Sequence, residues 1–226
     1  MASEPASAAR EASERREKEW WLRALAVFQS PRAVFAALRD QSDWEAEARQ
    51  EPVLAIVLLA GLAGVLLAPS TGRLLDEPLV DGSLAVVAVV LFVAGAMYGA
   101  AAYWIGGLAL FVGLKGAGSR GGYRRARHVL AFAAAPLILG LLLVWPVRLA
   151  VYGSDTFRSG GSDSGAGVAL FDGLHAAFAI WAGGLLVYGI SVVERWKLLR
   201  AAVSIALMLL TVLIVTLPFL IPLSSR

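Results

Sequence analysis

Apolar residues are gathered into five runs, Val53 to Ala68, Leu84 to Leu114, Val129 to Tyr152, Ala169 to Val193 and Ala201 to Leu223, with short polar stretches between them. A helix rises 1.5 Å per residue, so about 20 apolar residues cross a hydrocarbon core of about 30 Å. The last three runs have that length. The first, 53–68, is short, and Pro52 with the amphipathic stretch before it can extend it. The second, 84–114, is too long for one upright helix and too short for two with a turn, which predicts a single tilted or protruding helix. Pro136 falls mid-way along the third run and Pro146 near its end, and each predicts a kink because it removes a backbone donor.

Ahead of these runs, residues 1–19 are mostly Ala, Ser, Glu and Arg around Pro5 and read as a disordered cytoplasmic tail, too poor in apolar side chains to offset ordering. From Trp20 the pattern changes, with Trp21, Leu25 and Phe28 at helical spacing. Ser30-Pro31 reads as an N-cap and first helical position, followed by Val34, Phe35 and Leu38 on one face. Ser42-Asp43-Trp44-Glu45 has capping-box form. Residues 20–51 therefore predict amphipathic helices lying on the membrane surface, or else a small helical pair packed on itself. The expected fold is all-α, a polytopic bundle of five transmembrane helices over 52–226.

Composition narrows the class further. The 226 residues are 58% hydrophobic and 16% charged, against about 45–50% and about 25% in ordinary soluble domains. That surplus excludes a cytosolic globule, a disordered chain and a nucleic-acid-binding domain. Cysteine is absent, so no disulfide frame or thiolate chemistry is available. The chain also lacks the motifs of zinc proteases, serine hydrolases and phosphate loops. Its two histidines, His128 and His175, fall in different runs at opposite membrane faces, so neither a metal nor a cofactor is expected. The charged N-terminal stretch lacks the apolar core of a removable signal peptide.

Charge placement sets the expected orientation. Arg39, Arg49, Lys115, Arg120, Arg124, Arg125, Arg127, Arg195, Lys197 and Arg200 flank the runs on one side, whereas Arg73, Arg158 and Arg226 flank them on the other, with Arg148 inside the third run near that end. The positive-inside rule places the N-terminus in the cytoplasm and the C-terminus outside. Lys115, Arg120, Arg124, Arg125 and Arg127 then form a cytoplasmic loop able to attract anionic phospholipid headgroups or a protein partner. Gly116, Gly118, Gly121 and Gly122 among them could cradle a phosphate, although loops between spans are often Gly-rich.

Ionisable residues inside a span mark candidate sites, since a charge in lipid is costly. Arg148, Asp172 and His175 qualify. Asp172 and His175 share a helix face, and antiparallel third and fourth spans would bring Arg148 to the depth of Asp172. One reading is an interhelical ion pair extended one turn deeper by His175. The other has Arg148 and Asp172 snorkelling to the interface and His175 satisfied in the core. The second run also carries Gly95, Gly99, Ala102, Gly106, Ala109 and Gly113 at steps of 3 and 4, a stripe suited to internal helix packing or to a homodimer seam.

The stretch Gly106 to Gly140, with its glycine-bearing loop, Tyr123-Arg124-Arg125 and an apolar helix containing Ala134-Ala135-Pro136, resembles the YIP domain family of Ypt/Rab-interacting membrane proteins and their prokaryotic relatives. Phe28-Gln29-Ser30-Pro31 with Phe35 is similar to the Phe-x-x-Pro-x-x-x-Phe stretch before the first span of prokaryotic members. The resemblance implies five spans, a prokaryotic cytoplasmic membrane and a non-enzymatic scaffold or adaptor. The Asp-Leu-x-Gly-Pro element of eukaryotic members is missing, so GTPase binding is not carried over. The competing reading is a small-solute or ion permease using Arg148, Asp172 and His175, which requires a polar cavity reaching the midplane. An intramembrane enzyme would need a nucleophile beside a base; Ser191 lies sixteen residues beyond His175, about 24 Å along the axis.

Overall fold

The structure, a computed structural model, describes residues 25–39, 50–77, 83–163 and 165–220. The proposed tail at 1–19, the capping box at 42–45 and the last residues of the fifth run lie outside them. Among the described residues every regular element is helical: α1 Pro31–Ala37, α2 Gln50–Leu66, α3 Leu84–Gly116, α4 Tyr123–Phe157, α5 Ala166–Glu194 and α6 Leu198–Leu220. A helical turn over 25–29 precedes α1. The helices α3 to α6 are long and apolar enough to cross a membrane, and Val53–Leu66 of α2 is a shorter apolar segment. Apolar side chains cover the outside of the bundle, among them Met97, Ile180, Leu199 and Leu213. Water would not tolerate so continuous an apolar surface, but lipid is its natural solvent.

The second run is one helix, as its length requires, but not a uniform one. Residues Ala102–Gly106 form a π turn between α-helical halves. The wider turn rotates the lower half relative to the upper, so the small-residue stripe is divided among α2, α4, which Gly106 meets at Leu130, and α6. Above the π turn, Gly95 and Gly99 meet α2. A Cβ on Gly99 would lie 2.3 Å from the carbonyl oxygen of Val57, and one on Gly61 would lie 2.5 Å from Cα of Gly99. Below it, a Cβ on Gly113 would lie 2.3 Å from the carbonyl oxygen of Ser204 in α6. These glycines are consumed by contacts inside the protein, whereas Ala102 is exposed.

Helix α4 is broken where proline requires it. Pro136 has no N–H for the carbonyl of Phe132, and the regular ladder is interrupted at Ala134, whose carbonyl accepts from the N–H of Leu137 at 3.0 Å. A second π turn, Gly140–Val144, precedes Pro146. The helix also starts earlier than the apolar run, at Tyr123 rather than Val129, so Arg124, Arg125 and Arg127 lie on a helix and not in a loop.

Two buried clusters organise the interior. One joins Val27, Phe35 and Leu38 to Ile56, Leu110, Phe132, Ile190 and Ala201. The other joins Ala63, Leu75, Val87 and Leu91 to Leu141, Trp145 and Phe157 at the opposite end. The α1 segment therefore turns its apolar face to protein. Pro31 starts the helix, Phe28 sets its ring edge-on to Trp181 at 5.7 Å, and Phe35 lies against Gly189, where a Cβ would come within 2.6 Å of its ring. Both aromatic residues of the Phe-x-x-Pro-x-x-x-Phe stretch grip the same helix, α5.

Candidate functional site

At the end where α4 finishes and α5 begins, Arg148 is held between two carboxylates. Its Nη2 donates to Oδ2 of Asp163 at 2.7 Å and its Nη1 to Oδ1 of Asp172 at 3.1 Å. The Arg148–Asp172 distance is well inside ion-pair reach. The partners differ in setting, since the Asp163 side chain is 10% exposed and that of Asp172 60%. Asp163 comes from the Gly/Ser-rich connection before α5. No periodic pattern surrounds it, so nothing in the sequence separates it from a solvated loop acid.

His175 is buried nearby but does not extend the ion pair by hydrogen bonding. Its Nδ1 donates to the carbonyl of Phe171 at 2.8 Å, one turn back on α5, and its ring lies 5.7 Å from that of Trp145. With Nδ1 carrying that hydrogen, Nε2 of the neutral ring is an acceptor, and it has no partner among the described residues.

The loops at this end are tied together. The backbone N–H of Ser159 donates to Oδ2 of Asp76 at 2.7 Å, joining the connection after α2 to the one after α4. Hydrogen bonds from the Ser159 side chain and backbone hold the Asp76 carboxyl below its ordinary value of 3.8, and Arg158 adds to the effect. A depressed folded-state value stabilises the protein above about pH 4, and the contribution disappears as pH falls through the folded value. Asp76→Asn should therefore lower the thermal midpoint at pH 7 and lower it by less at pH 3. Melting curves of both proteins at the two pH values check this; equal loss at both would remove the carboxylate from the account.

The opposite end is basic. Lys115, Arg120, Arg124, Arg195, Lys197 and Arg200 are exposed there. The five residues expected to act as one loop divide into two groups. Arg125 turns inward, 3.7 Å from Glu194 and donating to the carbonyl of Arg39 at 3.2 Å, while Arg39 donates in turn to the carbonyl of Val192. Arg127 lies against three rings, its guanidinium carbon 3.8 Å from the centre of Trp104, 4.6 Å from Tyr123 and 5.0 Å from Tyr103. The Tyr123 hydroxyl donates to the carbonyl of Trp104 at 2.6 Å, within the π turn of α3. The spacing of Tyr123 and Arg127 on one helix carried this signal, since residues four apart share a face.

The glycine-rich connection is shaped by its own amides. The N–H groups of Gly118 and Ser119 donate to the carbonyls of Lys115 and Leu114, and that of Gly121 to Oγ of Ser119. Arg200 donates to the carbonyl of Ala117 at 2.7 Å and 3.0 Å. Amides used in this way are not a phosphate cradle.

Between the two buried clusters, α2, α3 and α4 enclose an apolar cavity of about 220 Å³. None of its lining residues comes from α5, so it does not meet His175.

Helices of spanning length with a lipid-compatible exterior define an integral membrane protein of the helical-bundle class. The chain belongs to the Yip1 domain family, whose match covers residues 25–220. No curated protein and no solved structure matches it.

Proposed function

We propose that the protein is a non-enzymatic membrane scaffold whose basic end meets the anionic headgroups of the cytoplasmic leaflet through Lys115, Arg120 and Arg124. One observation carries this reading: among the described residues the exposed cations Lys115, Arg120, Arg124, Arg195, Lys197 and Arg200 gather at one end of the bundle. At the other, Arg73, Arg148 and Arg158 stand among five acids. Glu194 is paired with Arg125 inside the basic end, while Asp76, Glu77, Asp155, Asp163 and Asp172 gather at the other. Each basic side chain near an anionic surface contributes about 1 kcal/mol, attenuated by salt. The same exposed face is where a protein partner would dock.

The test is lipid composition around the protein. Discs excised directly from the membrane should be enriched in phosphatidylglycerol relative to bulk, and K115Q/R120Q/R124Q should reduce that enrichment at least about twofold. Enrichment equal to wild type would count against the reading. Because the sequence holds no cysteine, Arg120→Cys provides a single reporter of sidedness. An impermeant maleimide should react with it only after the cells are opened.

A further inference from the structure

We infer that the cavity between α2, α3 and α4 holds one acyl chain of an anionic glycerophospholipid from the surrounding bilayer, with its phosphate on the edge of the Arg127 guanidinium. The cavity walls are apolar and include Val57, Gly61, Tyr98, Ala102, Leu130 and Ala134. Its shape follows from two features of the chain. Gly61 and Gly99 hold the backbones of α2 and α3 in contact, while the break at Ala134–Pro136 interrupts the α4 wall opposite them. At the rim, Tyr98 and Ala102 are exposed, so the opening faces lipid rather than the bundle interior.

A cation stands one helical turn from this cavity. Arg127 is three residues before Leu130 on α4, and its guanidinium lies over Tyr103, which itself lines the cavity. Its stem lies on Gly107, where a Cβ would come within 2.3 Å of Cγ. Ring faces carry no lone-pair acceptor, so the N–H donors of the guanidinium are not satisfied by the three rings it lies over. Nε is buried without a hydrogen-bond partner, and no carboxylate among the described residues forms an ion pair with Arg127. Trp104, 53% exposed, places this aromatic group on the lipid-facing surface. A planar donor edge beside an apolar slot matches a phosphate joined to a hydrocarbon chain. The inference does not rest on the basic-end reading, because Arg127 is not one of the side chains assigned to that surface.

Native mass spectrometry of the full chain, delipidated in mild detergent, tests it. Dioleoylphosphatidylglycerol should occupy one site about tenfold more tightly than dioleoylphosphatidylcholine, the scale of one charge-assisted contact. Arg127→Gln should abolish that preference, and Ala60→Leu, which fills the cavity from α2, should weaken both lipids. Glycerol 3-phosphate should not displace the lipid, whereas K115Q/R120Q/R124Q should retain the tight site. Equal affinity for the two lipids in wild type, an undiminished preference in folded Arg127→Gln, wild-type binding in Ala60→Leu, loss of the tight site in K115Q/R120Q/R124Q, or displacement by glycerol 3-phosphate would each overturn the assignment. The wild-type and Ala60→Leu measurements decide the matter even where Arg127→Gln does not fold.

Discussion

Asp163→Ala is expected to destabilise the protein by about 3–5 kcal/mol, whereas Asp172→Asn changes stability by less than about 1 kcal/mol. The two carboxylates bind the same guanidinium, and their surroundings make the difference. The Arg148 side chain is 12% exposed and that of Asp163 10%, so losing Asp163 leaves a desolvated cation whose remaining partner is mostly in contact with the outside. Nε of Arg148 is already buried without a hydrogen bond, which leaves little capacity to compensate. For a chain of this size each kcal/mol shifts the thermal midpoint by about 2–4 °C. The double variant Arg148→Met/Asp163→Leu should recover most of the loss, because it removes the unpaired charge as well as the pair. Thermal unfolding of the four proteins in one detergent decides it, and similar losses for Asp163→Ala and Asp172→Asn would contradict the asymmetry.

Phe35→Ala is expected to cost about 3–5 kcal/mol, the range for deleting a fully buried aromatic side chain. Phe35 is 0% exposed and lies on the bare backbone at Gly189. Its loss opens a cavity that the short helix α1 cannot close, since Phe28 already anchors the chain at Trp181. The effect should concentrate on the stretch 25–39, with faster protease cleavage there and little change in the α3 to α6 bundle. Limited proteolysis followed by mass mapping measures it. A wild-type cleavage rate would show that the segment is held by other contacts.

These two cases also show what the sequence could and could not convey. Run length alone separates the spanning helices and requires 84–114 to be one helix, because hydrocarbon thickness sets a length that composition must match. Proline likewise marks the interruption of α4, because the missing donor is a property of the residue itself. The side on which a surface is used is a different matter. Val34, Phe35 and Leu38 make the same apolar face whether it meets lipid or α5, so the inward docking of α1 leaves no distinct pattern. Partner choice is similarly hidden. Arg148 and Asp172 are legible through helix geometry, but Asp163 reaches them from a connection without periodicity. The rings around Arg127 combine a readable i, i+4 pair with two residues of a π turn that spacing rules do not predict.

That π turn makes α3 a strut with two independent registers. Its upper half is fitted to Gly61 of α2 and its lower half to Ser204 of α6, and a regular helix of the same residues could not satisfy both. One surplus residue in 102–106 supplies the offset. Were 102–106 to wind as a regular α-helix with every residue kept, Gly113 would swing away from α6 by about 100° and the last helix would detach, leaving the α2–α3 pair whole. Removing one residue there would straighten the helix and keep Gly113 on α6.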